Sequence, residues 1–135
     1  MKRVTGIGGV FFKAKDPAKL KEWYDKHLDV GPKRDGPWGG EDSATLLLWR
    51  DFDNKEQVCT TVFEPFPDDT TYFEPSTKPF MFNFRVADLK GLLDQLRKEG
   101  VQVEDKIEEL PYGRFGWIID PEGNRIELWE PAEGY

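Results

Sequence analysis

Three strand-like runs set chemically capable side chains at alternate positions. Gly9, Phe11 and Lys13 share one face of the first run, Met81, Asn83 and Arg85 one face of the second, and Arg125, Glu127 and Trp129 one face of the third. An arginine on such a face can clamp a carboxylate through two parallel N–H donors. A glutamate there can serve as a base, an acid or a hydrogen-bond acceptor, and if buried it needs a partner or a raised pKa. Lys13, Asn83 and Arg85 would form a polar floor for an anionic or carbonyl-bearing ligand. Arg85 and Glu127, placed in one partly dry cavity, would hold each other ionised. Both sets have a structural alternative: Glu127 paired with Arg85 or Lys13, and the polar trio solvated at an open rim.

Other residue types carry weaker chemistry. Phe11, Phe63, Tyr112 and Trp129 could line an apolar pocket for a flat organic molecule, or simply fill a core. Trp38 and Trp49 are candidates for an interface. His27 is the only histidine and lies on a helical stripe, which suits a packed or rim residue. Cys59 has neither a histidine nor a second cysteine placed to activate it, so it reads as a small buried residue. Gly36-Pro37-Trp38-Gly39-Gly40 lacks phosphate-loop spacing and reads as a mobile loop or lid.

The elements that would position these side chains occur twice. Ile7 to Asp16 and Pro79 to Asp88 are each a strand-like run ending in an Asp that opens an amphipathic helix. Each copy closes on a similar strand, Cys59 to Pro65 in the first and Arg125 to Pro131 in the second. A repeated pattern of this length means one supersecondary unit used twice. Strands are predicted over 4–14, 33–38, 44–49 and 57–63, then over 80–87, 101–109, 113–119 and 124–130. Asp16-Pro17 fits a helix N-cap followed by proline at the first helical position. The helix it opens carries Leu20, Trp23, Tyr24, His27 and Leu28 as a stripe, and Gly31-Pro32 ends the unit. The second helix, 88–99, has Asp88 as its cap, a stripe of Leu89, Leu92, Leu93 and Leu96, and Gly100 where a left-handed residue belongs. Asp120-Pro121-Glu122-Gly123 matches a type I turn. Each half is βαβββ: repeat one spans about 4–65, a proline-rich connector about 66–79, repeat two about 80–131, and residues 1–135 form a single domain.

Bulk properties bound the function. The chain has 135 residues, 10 Phe, 5 Trp and 4 Tyr, so a sizeable core is possible despite 33% charged residues. The net charge is −7 with acids spread along the chain, which argues against a nucleic-acid partner. No run reaches the ~18 apolar residues of a membrane span, and the first residues lack the apolar stretch of a secretion signal. A single cysteine excludes an intrachain disulfide, so a reducing cytoplasm is the expected location.

Two βαβββ units, with Asp120-Pro121-Glu122-Gly123-Asn124-Arg125-Ile126-Glu127-Leu128 near the end, resemble the vicinal oxygen chelate superfamily of glyoxalase I, extradiol dioxygenases, and fosfomycin- and bleomycin-resistance proteins. The resemblance covers the whole chain. It implies an α+β fold in which a curled mixed sheet forms a cup with the helices outside, and a homodimer that completes the cups. It also implies a divalent metal held by four positions, which here fall on Gly9, Thr61, Met81 and Glu127. Only Glu127 is a usual ligand among them; a thioether suits soft metals, and catalytic metals normally need about three protein ligands.

The resulting expectation is a small-molecule-binding protein of the glyoxalase and bleomycin-resistance type without the usual divalent metal or any other cofactor. Its ligand-binding residues would be Phe11, Lys13, Thr61, Phe63, Asn83, Arg85, Glu127 and Trp129. The alternatives are a lyase, isomerase or dioxygenase-like enzyme, using a relocated metal or acid–base chemistry at Glu127, and a structural or interaction module.

Overall fold

A computed structural model describes residues 2–32 and 44–135. The element order is β1 (Val4–Ala14), α1 (Pro17–Leu28), β2 (Thr45–Arg50), β3 (Val58–Pro67), β4 (Phe80–Val86), α2 (Leu89–Lys98), β5 (Gln102–Val103), β6 (Glu108–Leu110), β7 (Gly113–Ile119) and β8 (Arg125–Pro131). One mixed sheet runs β2-β3-β1-β4-β8-β7-β5, with β6 paired to β7. The first strands of the two units, β1 and β4, lie side by side and antiparallel at its centre. Each also pairs in parallel with the last strand of its own unit, β1 with β3 and β4 with β8. The fold is therefore the α+β curled cup.

Both helices start as their sequences dictate. The Asp16 and Asp88 side chains accept from the backbone N–H of Lys19 and Gly91, and Pro17 opens α1. Asp88→Ala should cost about 1 kcal/mol of stability in urea unfolding, the usual worth of a lost N-cap; an unchanged midpoint would show that the cap is idle. The helix ends differ from one another. Asp29 adopts the left-handed conformation that closes α1, ahead of Gly31, whereas Gly100 takes it after α2. Leu89 and Leu93 of α2 are buried against Val86 and Leu128 on the sheet's outer face. α1 is held more loosely: Tyr24 meets Phe63, while Trp23 and Leu28 remain exposed.

Two boundaries differ from expectation. The strand expected over 101–109 is two short pieces, β5 and β6, because 104–107 leaves the ladder. β3 continues to Pro67, so the connector proper begins at 68. The strand expected at 33–38 and the Gly36–Gly40 loop, with Trp38, lie outside the described residues.

The cup's interior is the second core. Phe11, Phe73, Met81, Phe115, Trp117 and Trp129 are buried together there. Phe73 comes from the connector, which folds back through turn hydrogen bonds such as Glu74 N–H to Thr71 O and drops its aromatic pair into the cup's mouth.

Candidate functional site

Strand register builds the cup floor. Asn83 pairs with Gly9 on one side and with Glu127 on the other, and Glu127 pairs with Trp117. Paired residues project to the same face of a sheet, so Asn83, Glu127 and Trp117 stand in one row. Glu127 is 2% exposed. It accepts from Trp117 Nε1 at 3.0 Å, from Asn83 Nδ2 at 2.6 Å and from the Tyr72 hydroxyl. Three donors aimed at one carboxylate suit its ionised form. Burial nevertheless outweighs them and pushes its pKa up. Tyr72 is itself pushed well up, first by burial and then by the charge of Glu127, so it stays protonated.

Above this floor lies a cavity of about 260 Å³. Phe11, Phe66, Tyr72, Tyr112, Phe115 and Trp129 give most of its wall, and Asn83 and Glu127 its polar floor. Gly8 also lines it. A Cβ there would come within 2.1 Å of Asn83 Oδ1, so the glycine is what lets Asn83 and Trp129 close in. Asn83 Oδ1 is buried with no hydrogen-bond partner.

The expected site residues divide. Phe11, Asn83, Glu127 and Trp129 line this cavity, as does Tyr112. Arg85 does not share it with Glu127. It faces a second cavity of about 620 Å³ lined also by Cys59, Glu130 and Tyr135. The Trp129 ring separates the two, with the guanidinium 4.8 Å over it. Arg85 donates to Thr60 O at 3.1 Å and to Tyr135 O at 2.8 Å, and burial lowers its pKa. Lys13 is half-buried at the end of β1, outside both cavity linings, and its backbone N–H donates to Pro79 O. Phe63 points outward against Phe12 and Tyr24, because it has the parity opposite to Val62 and Phe66. Thr61 shares that outward parity; its hydroxyl donates to Ile7 O and accepts from Trp49 Nε1. His27 stays on α1 beside Trp23, outside the cup.

Register also corrects the metal positions. Phe11 stands five residues before Asp16, as Asn83 stands before Asp88. Phe11 pairs with Glu64, and Asn83 pairs with Glu127. The counterpart of Glu127 is therefore Glu64 rather than Thr61. The matching Glu-Pro ends of β3 and β8 mislead because β3 lies three residues further along its partner. Glu64 is engaged by Lys21 Nζ at 2.9 Å. With Gly9 and Met81 at the other two positions, this donor set does not fit a divalent ion, and both carboxylates are already hydrogen-bonded. Among the described residues no three His, Cys, Asp or Glu side chains converge on one point.

Tyr72 and Phe73 were not foreseen. The available signal was an aromatic pair in an otherwise polar, proline-rich connector, a place where exposed rings have no reason to be.

Comparison with known proteins fits this architecture. The profile of the Glyoxalase/Bleomycin resistance protein/Dioxygenase superfamily matches residues 6–128. No curated protein sequence matches. Among solved structures, a methylmalonyl-CoA epimerase in complex with methylmalonyl-CoA and NH4+ superposes with a TM-score of 0.67 at 16% identity, covering 96% of this chain and 96% of that one. The methylmalonyl-CoA epimerase of Mycobacterium tuberculosis gives 0.59 at 20% identity, over 98% and 91%. A superfamily member from Vibrio splendidus 12B01 gives 0.56 at 12% identity, over 92% and 97%.

Proposed function

The chain belongs to the Glyoxalase/Bleomycin resistance protein/Dioxygenase superfamily, and we propose that it binds a small organic molecule in the cavity above Glu127 without the usual divalent metal. The observation that carries this is a buried carboxylate that is held by three donors and lines the floor of an aromatic cavity. A core with no ligand to receive would be better filled by an apolar side chain. The two epimerases named above are structural neighbours, one described in complex with methylmalonyl-CoA, which supports small organic ligands for this cup. Gly9 and Met81 at two of the four metal positions, and hydrogen-bonded carboxylates at the other two, support a metal-free site. A homodimer in a reducing cytoplasm completes the reading.

A second reading is acid–base turnover. The upward pKa of Glu127 favours it, since a carboxyl poised to take and release a proton is what proton transfer beside a carbonyl requires. An anionic ligand, by contrast, would have to use the Arg85 cavity.

Val62→Phe, which fills the cavity from its apolar wall, tests the binding reading. Compounds that bind wild type in ligand-observed NMR should bind this variant at least tenfold more weakly, while the fold persists. Undiminished binding would move the site elsewhere. Elemental analysis of untagged protein should find no stoichiometric divalent ion; about one Zn, Mn, Fe or Ni per chain, lost in Glu127→Gln, would overturn the metal-free part.

A further inference from the structure

The chemistry of the Glu127 cavity selects a ligand charge. Its polar groups offer acceptors. Glu127 supplies a buried carboxylate, Asn83 a buried amide oxygen without a partner, and Glu108 a second carboxylate, partly neutralised by Lys106 Nζ at 3.5 Å. Among the described residues no lysine, arginine or histidine lines it. Two guanidiniums stand behind its walls: Arg85 behind the Trp129 ring, donating to Thr60 O and Tyr135 O, and Arg125 behind the rings of Tyr72 and Trp117, bound to Glu104 by two hydrogen bonds at 2.8 and 3.1 Å. The walls are aromatic faces, which attract cations through their negative ring quadrupole.

We infer that the ligand of this cavity is a protonated primary or secondary amine on a small apolar body. This deepens the ligand-binding reading and rests on it. The ammonium charge would meet the Glu127 carboxylate within the aromatic wall that Phe11, Phe66 and Tyr112 form around it. One of its N–H groups would supply the donor that Asn83 Oδ1 lacks. A buried acceptor left unpaired carries a desolvation cost that such a donor removes. A quaternary ammonium satisfies the charge but not the amide oxygen. A carboxylate would stand against Glu127 in a medium that screens poorly. At about 260 Å³, the cavity is below the ~300 Å³ where ordinary ligand pockets begin, so the body is a single ring or a short chain.

Four probes with one phenyl body separate the cases: 2-phenylethylammonium, trimethyl(2-phenylethyl)ammonium, 2-phenylethanol and 3-phenylpropanoate. Binding to the full chain is followed through the Trp129 indole N–H resonance. The primary ammonium should bind at least tenfold tighter than the alcohol and several-fold tighter than its trimethyl analogue, with the carboxylate weakest. Glu127→Gln should weaken the primary ammonium tenfold or more and the alcohol less than threefold. Glu108→Gln, at the rim and away from the folded core, should weaken the ammonium by a smaller factor. If the carboxylate binds as tightly as the ammonium at Trp129, or Glu127→Gln leaves the ammonium unchanged, the charge assignment falls and the binding reading survives. If no probe of any charge moves the Trp129 or Tyr72 resonances, both fall together.

Discussion

Glu127→Leu should lower the stability of this protein by about 3–5 kcal/mol, whereas Glu127→Gln should stay within about 1 kcal/mol of wild type. Leucine leaves Trp117 Nε1 and Asn83 Nδ2 buried without an acceptor, and strips the Tyr72 hydroxyl of its partner. Each stranded donor costs about 1–3 kcal/mol, and the apolar side chain recovers only part of that. Glutamine escapes the penalty through its neighbour. Asn83 Oδ1 has no partner, so its amide can turn over and accept from the new Gln Nε2 while Gln Oε1 keeps Trp117 and Tyr72; one unpaired amide donor then replaces one unpaired amide acceptor, and no further group is stranded. Urea unfolding of the three proteins measures this, and a Leu variant as stable as wild type would refute the donor accounting.

The same pair reports on pH with a definite sign. Burial raises the Glu127 pKa, so the folded state holds that proton more tightly than the unfolded chain. Its stability contribution is fully present below the unfolded carboxylate pKa and is lost as pH rises through the higher folded value. Tyr72, which faces it, keeps its proton throughout, and Asn83 and Trp117 do not titrate. The stability of Glu127→Gln minus that of wild type should therefore grow with pH across that window and level off above it. A difference that shrinks with rising pH would mean that the three donors, rather than burial, dominate.

Trp129→Ala should be as damaging, at about 3–5 kcal/mol, and for a different reason. The indole stacks on Phe115 with ring centres 5.9 Å apart and planes 5° from parallel, and its N–H donates to Tyr112 O at 3.0 Å. It is also the partition between the two cavities, carrying the Arg85 guanidinium on its other side. Truncation would join the cavities and leave that guanidinium only its longer cation–π contact, 5.8 Å over Trp49. Trp129→Phe keeps the partition and should cost less than half as much. A loss below about 1 kcal/mol for the alanine variant would show that the wall closes without the indole.

Local rules made much of the cup legible. Asp16 and Asp88 cap helices because a carboxylate beside free N–H groups works without tertiary help. Strand alternation placed Phe11, Asn83, Glu127 and Trp129 on one face, and all four line one cavity. Alternation also put Arg85 on that face, correctly, but could not say that Trp129 would stand between it and Glu127. Thr61 and Phe63 failed together, from matching the Glu-Pro ends of two strands that run different distances past their partners.

What the sequence by itself determined was therefore periodic and short-range: two strand–helix units that each close on a strand beside their first, their caps and turns, and which side of each strand is polar. What only the tertiary structure decided was register and closure. The sliding of β3 against β1 makes Glu64, not Thr61, the counterpart of Glu127, and the return of the connector brings Tyr72 and Phe73 into the cup. Both depend on contacts between residues far apart in the chain. No local preference encodes those contacts; they are won by the apolar area and hydrogen bonds gained when the whole sheet closes.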